Sequence, residues 1–275
     1  MEAVSKTGLL RRLRKSGWQL LAAPFLLFVI LPLAALFLRL TPADIGESLR
    51  EAQVVKAITL SLQTSLVTVL VTLLAGTPVA YLIYRRRTPL YRFLDILIDL
   101  PTVLPPAVAG VALLMAFGRQ GLVGSWLAQL GLSLPFTPAA VVLAQTFVAA
   151  PLYIRSAALG FSGVDCELKK AAALDGASRV QTFRFIMLPI AWHALLSGIV
   201  MTWARALGEF GATIIFAGNF PGRTQTMPLA IYLGFELDLK VALTLSALLI
   251  GTSFLILAVV KNYLNNHLES QNPVD

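Results

Sequence analysis

Charged side chains are scarce in this sequence and make up only 13% of its 275 residues. Soluble domains usually carry about 25% charged residues, so this chain has too few of them to cover a globule of its size in water. Apolar residues account for 57% of the sequence, and its mean hydropathy is +0.78. The composition therefore predicts an integral membrane protein.

Cysteine and histidine are nearly absent. Cys166 is the single cysteine, which excludes a disulfide within the chain. His193 and His267 are isolated, with no second ligand at metal-binding spacing, so no metal site is expected. The phosphate-binding pattern G-x-x-x-x-G-K-[ST] does not occur, and neither do the G-x-S-x-G and H-E-x-x-H motifs. We expect no enzyme active site in this chain and no cofactor bound to it.

Six apolar runs reach the length of about 20 residues that a membrane-spanning helix needs. They are Trp18–Leu40, Ile58–Tyr84, Leu94–Phe117, Pro138–Leu159, Ile190–Phe216 and Val241–Val260. A basic stretch, Arg11–Lys15, precedes the first run as in a signal peptide, but the run exceeds the usual length of about 7–15 residues and no A-x-A cleavage site follows. We therefore predict an all-α integral membrane protein with six transmembrane helices. Residues 1–275 form one domain, and 18–40 form an uncleaved first span.

Positive charges are distributed unevenly between the two sides of the predicted membrane. Fifteen of the 22 Lys and Arg residues fall on the side of the N-terminus, six fall on the other side, and Arg205 lies within a span. Because Lys and Arg of short loops are retained in the cytoplasm, both termini are predicted to be cytoplasmic. The net charge of +8 is then explained by this asymmetry and by contact with anionic membrane lipid, and not by nucleic-acid binding.

The longest polar passage, "KKAAALDGASRVQTFRFIMLP" (Lys169–Pro189), lies between the fourth and fifth spans. Asp165 is a candidate N-cap for one short helix, and Gly176 is a candidate stop. Ser178 and Gln181 fit a capping box that starts a second short helix leading into the fifth span. A plain connecting loop does not need two capped helices, and a DNA-binding helix-turn-helix is disfavoured because both ends join spans. A surface for a partner in water is the favoured interpretation.

This passage resembles the EAA loop of permease subunits from ABC-type importers. "AAALDG", nine residues and "IMLP" follow the family spacing, although Lys170 stands where the family pattern opens with Glu, and Glu167 lies one helical turn earlier as a substitute. The resemblance implies the fold of a type I importer permease, with 160–189 as a coupling loop that docks on a separate ATP-binding subunit. The residues predicted for this coupling are Glu167, Lys170, Ala171, Ala172, Asp175, Gly176, Ile186, Leu188 and Pro189.

Two other stretches resemble segments of the oxyanion importers, which take up molybdate, tungstate or sulfate. They are "DLPTVLPPAVAGVALL" (Asp99–Leu114) and "RALGEFGATIIFAGN" (Arg205–Asn219), and "TQTMPLAIY" (Thr224–Tyr232) favours the molybdate permeases. The resemblance covers roughly Ser61 to Leu257, within a core permease region of about 54–262.

The family implies a homodimer in a bacterial or archaeal-type plasma (inner) membrane, with its translocation path at the subunit interface. It also implies two copies of an ATP-binding subunit, which hold ATP and Mg, and an extracytoplasmic oxyanion-binding protein. The substrate alternatives are sulfate and tungstate. A secondary transporter is a weaker alternative, because such proteins repeat their broken segments in two halves, and "LPTVLPP" occurs once.

Two interruptions of the apolar runs are candidates for the translocation path. Pro105 and Pro106 break the third run, and the backbone groups that they free are tolerated in a bilayer only inside protein or along a cavity. Arg205 and Glu209 place charges in the fifth run, where an unpaired charge is costly, and their spacing of four residues lets them pair on a helix. The predicted path residues are Pro105, Pro106, Arg205, Glu209, Phe210 and Gly211. A simple kink and close helix packing at the glycines are the structural alternatives.

The charge asymmetry generates a test of orientation. A reporter enzyme that is active only in the cytoplasm should be active when fused after Arg87 or Asp275 and silent when fused after Gly131, because positive loops stay inside. Activity after Gly131 would reverse the predicted topology.

Overall fold

A computed structural model of the chain describes residues 3–85 and 88–271, with side chains described for 21–85 and 88–263. Arg86, Arg87 and Asp275, which enter the predicted orientation, lie outside the described residues. The described residues are helical throughout, apart from their connections. The α-helices are α1 (Ala3–Leu38), α2 (Pro42–Ser48), α3 (Ala52–Arg85), α4 (Pro89–Val103), α5 (Pro106–Phe117), α6 (Gly124–Gln129), α7 (Pro138–Ser162), α8 (Cys166–Leu174), α9 (Arg179–Thr182), α10 (Leu188–Leu207), α11 (Gly211–Phe216), α12 (Met227–Leu237) and α13 (Leu239–Gln271), with a π-helical turn at Phe183–Met187.

Among the described residues, five helical stretches are long and apolar enough to cross a membrane. They are Leu21–Leu38, Ala52–Arg85, Pro138–Ser162, Arg179–Leu207 and Leu239–Tyr263. Helices α4 and α5 pass the same test only when they are taken together, and the chain bends by 119° between them. Counted as one broken span, this pair brings the number to the predicted six.

The third span is broken at the predicted prolines and differs in its bounds from the apolar run Leu94–Phe117. Its first helix begins earlier, at Pro89, and ends at Val103, where the chain turns sharply into α5. Proline removes a donor and forces the preceding residue into an extended conformation, as seen at Leu104 (ψ 138°) and Pro105 (ψ 134°). Two consecutive prolines therefore produce a sharp bend here in place of a mild kink.

The fifth span also differs from the predicted Ile190–Phe216. It starts at Arg179, because α9, the π-helical turn and α10 follow one another without a loop. It then ends at Leu207, and the chain resumes helix only at Gly211. The fifth predicted run is thus a long helix, a break over 208–210 and the short helix α11.

The centre of the bundle is formed by α3, α7 and α10. Glycines let α7 and α10 approach closely: a Cβ at Gly160 would lie 2.7 Å from the Cβ of Ala194, and one at Gly198 would lie 2.8 Å from that of Ser156. Polar contacts also cross between helices, including the Thr77 hydroxyl with the Tyr153 hydroxyl at 2.7 Å. Small residues and interhelical hydrogen bonds are the means by which helices associate in lipid.

Candidate functional site: a coupling loop and a broken path

The loop between α7 and α10 contains the two short helices that the sequence predicts. The Asp165 side chain caps α8 by accepting the Glu167 N–H at 2.9 Å. The helix ends in a Schellman motif, in which Gly176 has a φ of 82°, its N–H donates to the Ala173 carbonyl at 3.2 Å, and the Ala177 N–H donates to the Ala172 carbonyl at 2.9 Å. The left-handed backbone at this position is the one that glycine adopts without strain.

The second helix of the loop starts with the predicted capping box. The Ser178 hydroxyl accepts the Gln181 N–H at 3.3 Å, and the Gln181 side-chain oxygen accepts the Ser178 N–H at 2.7 Å. The helix widens into a π-helical turn before Pro189, and the Leu188 N–H reaches back to the Phe183 carbonyl. Pro189 has no N–H to donate and its ring needs room, so the wider turn carries the chain into α10 without breaking it.

The predicted coupling residues divide between an outer and an inner face of the loop. Ala172 is buried, while Ile186 and Leu188 are half-buried. The exposed members are Glu167, Lys170, Ala171, Asp175, Gly176 and Pro189. Asp175, Gly176 and Ile186 line a shared groove between the two short helices.

Large apolar side chains on this loop were not among the predicted coupling residues. Leu174, Val180 and Phe185 are 89%, 74% and 67% exposed. Exposed apolar groups of this size on a polar loop are candidates for contact with a partner. Their clustering around a capped turn was a signal available in the sequence.

An aromatic cluster fixes the loop to the transmembrane helices. Phe183 of the loop packs edge-on against Tyr81 of α3 and Phe161 of α7, with ring centroids 5.2 Å and 5.5 Å apart. The Lys169 ammonium donates to the Tyr84 hydroxyl and, at 2.8 Å, to the Val164 carbonyl. A displacement of the loop must therefore act on both α3 and α7.

The two predicted breaks meet in space. A Cβ at Gly211 would lie 2.4 Å from the Cβ of Pro106, and one at Gly110 would lie 2.6 Å from the Cβ of Ile215. The start of α5 thus contacts the start of α11 more closely than a side chain would allow. Pro105 is exposed beside this contact, and Phe210 stacks near Tyr232 with ring centroids 5.4 Å apart.

Arg205 and Glu209 form the predicted ion pair, with Arg205 Nη1 2.7 Å from Glu209 Oε2. Glu209 is buried, whereas the Arg205 side chain is 35% exposed. The other carboxylate oxygen, Glu209 Oε1, accepts the Ala212 N–H at 2.8 Å. This second bond was not predicted. It provides a hydrogen-bond acceptor for a backbone N–H in the first turn of α11.

A second set of ionic contacts joins α4 to α7. Arg155 Nη1 donates to Asp95 Oδ1 at 2.6 Å, and Arg155 Nε donates to Asp99 Oδ1 at 2.6 Å. Arg155 is one of the positive charges predicted on the inner side, and its pairing with these carboxylates was not predicted. The spacing of Asp95 and Asp99 by one helical turn was the available signal.

Residues 72–270 match the family of binding-protein-dependent transport system inner membrane components. The chain belongs to this family. The predicted assignment to the permeases of ABC-type importers is therefore confirmed, and the alternative of a secondary transporter is excluded. Such permeases are membrane components without a cofactor of their own, and they work with a separate ATPase and a periplasmic binding protein.

Relatives in bacteria and archaea align with most of this permease. It is 38% identical over 242 residues to the probable transport system permease protein NifC of Clostridium pasteurianum, covering 88% of this chain and 85% of that protein. It is 41% identical over 233 residues to the molybdenum transport system permease protein ModB of Mycobacterium tuberculosis, covering 84% and 88%. A probable molybdenum ABC transporter permease protein of Haloferax volcanii is 36% identical over 265 residues, covering 91% and 94%.

Solved structures support the same fold. A chain of a bacterial ABC transporter involved in the import of alginate superposes with a TM-score of 0.70 at 17% identity, covering 99% of this permease and 100% of that chain. A chain of the MetNI methionine ABC transporter in an inward-facing conformation gives 0.61 at 20% identity, covering 78% and 95%. At these identities the likeness concerns the fold alone, and it confirms the predicted all-α permease architecture.

Gly176→Val tests the coupling loop. A β-branched residue in the left-handed conformation costs about 1–2 kcal/mol, so the turn between α8 and α9 should change shape while the spans remain intact. We expect normal amounts of protein in the membrane, with loss of substrate uptake and weaker co-purification of the ATPase.

Gly131→Val is the matched control, because Gly131 has a φ of 74° and, like Gly176, has open space around its Cβ position. It imposes the same strain in the connection after α6 and should leave uptake unchanged. Normal uptake by Gly176→Val would show that the conformation of this turn is not needed for coupling.

Glu209→Gln tests the buried ion pair. Removing one member of a buried pair typically costs about 3–5 kcal/mol, and the partial exposure of Arg205 places the expected cost at the lower end. The amount of folded permease should fall. Combining Arg205→Met with Glu209→Gln should restore it, because no charge is left unpaired and the Gln oxygen can still accept the Ala212 N–H.

The combination of Arg205→Met with Glu209→Leu should restore less folded protein. It leaves the Ala212 N–H without its acceptor, which costs about 1–3 kcal/mol when buried. Thermal unfolding in detergent measures all three variants. Equal stability of the two double variants would show that the bond to Ala212 contributes nothing.

Proposed function

We propose that this chain is the permease subunit of an importer for a tetrahedral oxyanion, most specifically molybdate. The observation that carries the proposal is the identity of 41% over 84% of the chain to a molybdenum transport system permease. The Haloferax relative, with nearly full coverage of both chains, supports the same substrate. Molybdate, tungstate and sulfate share charge and shape, so the binding protein outside the membrane selects among them first.

The proposed assembly contains two copies of this chain, two ATP-hydrolysing subunits in the cytoplasm and one oxyanion-binding protein on the other side. The termini are cytoplasmic in this assembly, and so is the coupling loop. The exposed Leu174, Val180 and Phe185 supply the apolar contact for each ATPase subunit. Between Leu21 and Leu38, no residue of α1 is fully buried within the chain, which leaves most of this helix for lipid and for the second copy.

ATP-driven closure of the ATPase subunits would act on the spans through the coupling loop. The loop joins α10 without an intervening coil and joins α7 through three residues, of which Val164 is buried. Movement of a packed element changes a transporter between discrete arrangements. In the proposed mechanism, α7 and α10 carry the movement to the contact between α5 and α11, where Pro105, Pro106, Phe210 and Gly211 border the path.

Arg205 contributes positive potential along this path. Its pairing with Glu209 offsets most of the cost of a charge inside the membrane, while its exposed part remains available to a passing dianion. A fully neutralised, buried pair would hold the break together without acting on the anion. The exposure of 35% for the Arg205 side chain favours the first role.

Uptake of labelled molybdate tests the proposed function. Cells that contain the permease, its ATPase and its binding protein should accumulate the label in an ATP-dependent manner, and excess tungstate should compete better than excess sulfate. Deletion of the permease or of the binding-protein gene should abolish high-affinity uptake. Label entry that sulfate suppresses as strongly as tungstate would reassign the substrate while leaving the importer assignment intact.

A further inference from the structure

Arg155 of α7 forms a dense set of hydrogen bonds with Asp95 and Asp99 of α4, and this contact is called the joint below. One guanidinium makes four hydrogen bonds to two residues of α4: Nε and Nη2 engage the two carboxylate oxygens of Asp99, Nη1 engages Asp95 Oδ1, and Nη2 also reaches the Asp95 carbonyl at 3.1 Å. Bidentate pairs of this kind fix orientation as well as distance. Arg155 therefore holds α4 against α7 at a defined angle.

The rest of α4 packs only lightly on the bundle. Much of its surface is exposed apolar side chain, with Phe93 at 62%, Ile96 at 69% and Val103 at 80%. Ile98 packs against the core cluster of α3, α7 and α10. A helix with so little buried surface depends on its polar contacts for its position, and the two aspartates would repel each other without the guanidinium between them.

Arg155 also lies between the two functional regions. Ser162, the last residue of α7, is seven residues further on, or about 10 Å along the helix, and the coupling helix α8 starts at Cys166. On the other side, α4 ends at Val103, next to Pro105 and Pro106, and Pro106 contacts Gly211. The joint therefore connects the helix that leaves for the coupling loop to the helix that enters the broken path.

We propose that Arg155 is a positioning residue that couples the coupling loop to the break at Pro105 and Pro106 by making α4 follow α7. This inference rests on the proposed function, since it requires an ATP-driven permease. Arg155 does not touch the anion in this proposal, and it acts through Asp95 and Asp99. The role differs from simple stabilisation because it predicts a defect in the use of ATP by a correctly assembled complex.

The test uses the complete complex, with its ATPase and binding protein, reconstituted in lipid vesicles. ATP hydrolysis and molybdate uptake are measured in the same vesicles, and the readout is the number of ATP molecules hydrolysed for each anion imported. For Arg155→Met we expect hydrolysis close to the wild-type rate, with uptake lowered by roughly 5- to 150-fold, the usual range of energetic coupling between sites.

A triple variant separates coupling from folding. Arg155→Met leaves two carboxylates without their partner and can lower assembly, whereas Arg155→Met with Asp95→Asn and Asp99→Asn contains no unpaired charge. The triple variant should assemble normally and still hydrolyse more ATP for each imported anion than the wild type does. Arg155→Lys keeps the charge but lacks the planar guanidinium that bonds to both aspartates. Its number of ATP molecules hydrolysed per imported anion should therefore lie between the values of the wild type and the triple variant.

Lys240→Met is the matched control. It removes another partly exposed cation with two acidic neighbours, Asp44 at 3.4 Å and Glu47 at 3.6 Å, at a place remote from the path from loop to break. The number of ATP molecules that this variant hydrolyses per imported anion should equal that of the wild type.

A triple variant with the wild-type ratio would overturn the proposal. So would an Arg155→Lys variant with full coupling, because the fork would then be unnecessary. If wild-type vesicles import tungstate or sulfate in place of molybdate, the ratio is measured with that anion, so an error in the proposed substrate does not affect the conclusion about Arg155.

Discussion

Backbone amide and carbonyl groups inside a bilayer have no water to bind, so a helix can be interrupted there only where the protein satisfies the groups that are released. This permease interrupts two spans, and local contacts satisfy several of the backbone groups at each break. Pro105 and Pro106 have no N–H to satisfy, the Leu104 N–H still donates to the Leu100 carbonyl at 3.1 Å, and the Pro105 carbonyl accepts from Ala109 at 3.2 Å. At the other break, the Glu209 carboxylate accepts the Ala212 N–H at 2.8 Å.

The two breaks depend on each other for the same reason. Each interrupts a helix in a region that lipid would not solvate, and the two breaks contact each other through Pro106 and Gly211. A larger residue at 211 would separate the segments, since its Cβ would overlap the proline ring. Packing against Pro106 thus explains the glycine at position 211 directly, and its predicted role in the path is a separate proposal.

Local signals in the sequence predicted the parts of this structure that local physics determines. The lengths of the apolar runs predicted the spans. Capping residues predicted both short helices of the loop, because Asp165, Ser178 and Gln181 form hydrogen bonds with backbone groups no more than three residues away. The meeting of Pro106 with Gly211, by contrast, brings together residues that are far apart in the sequence. No hydropathy window or periodicity contains that information. The joint at Arg155 was missed for the same reason, since its partners lie 56 and 60 residues away.

The packing also determines which parts of the permease can move together. Gly160 and Gly198 bring α7 and α10 so close that neither helix can slide without displacing Ala194 or Ser156, and the two helices flank the coupling loop. A push on the loop should therefore move α7 and α10 as one body. The breaks at 104–105 and 208–210 interrupt the continuous helical backbone of their spans, so φ and ψ changes cost less there than within α7 or α10. A movement of α7 and α10 as one body should therefore be taken up mainly at these two breaks, next to the proposed path.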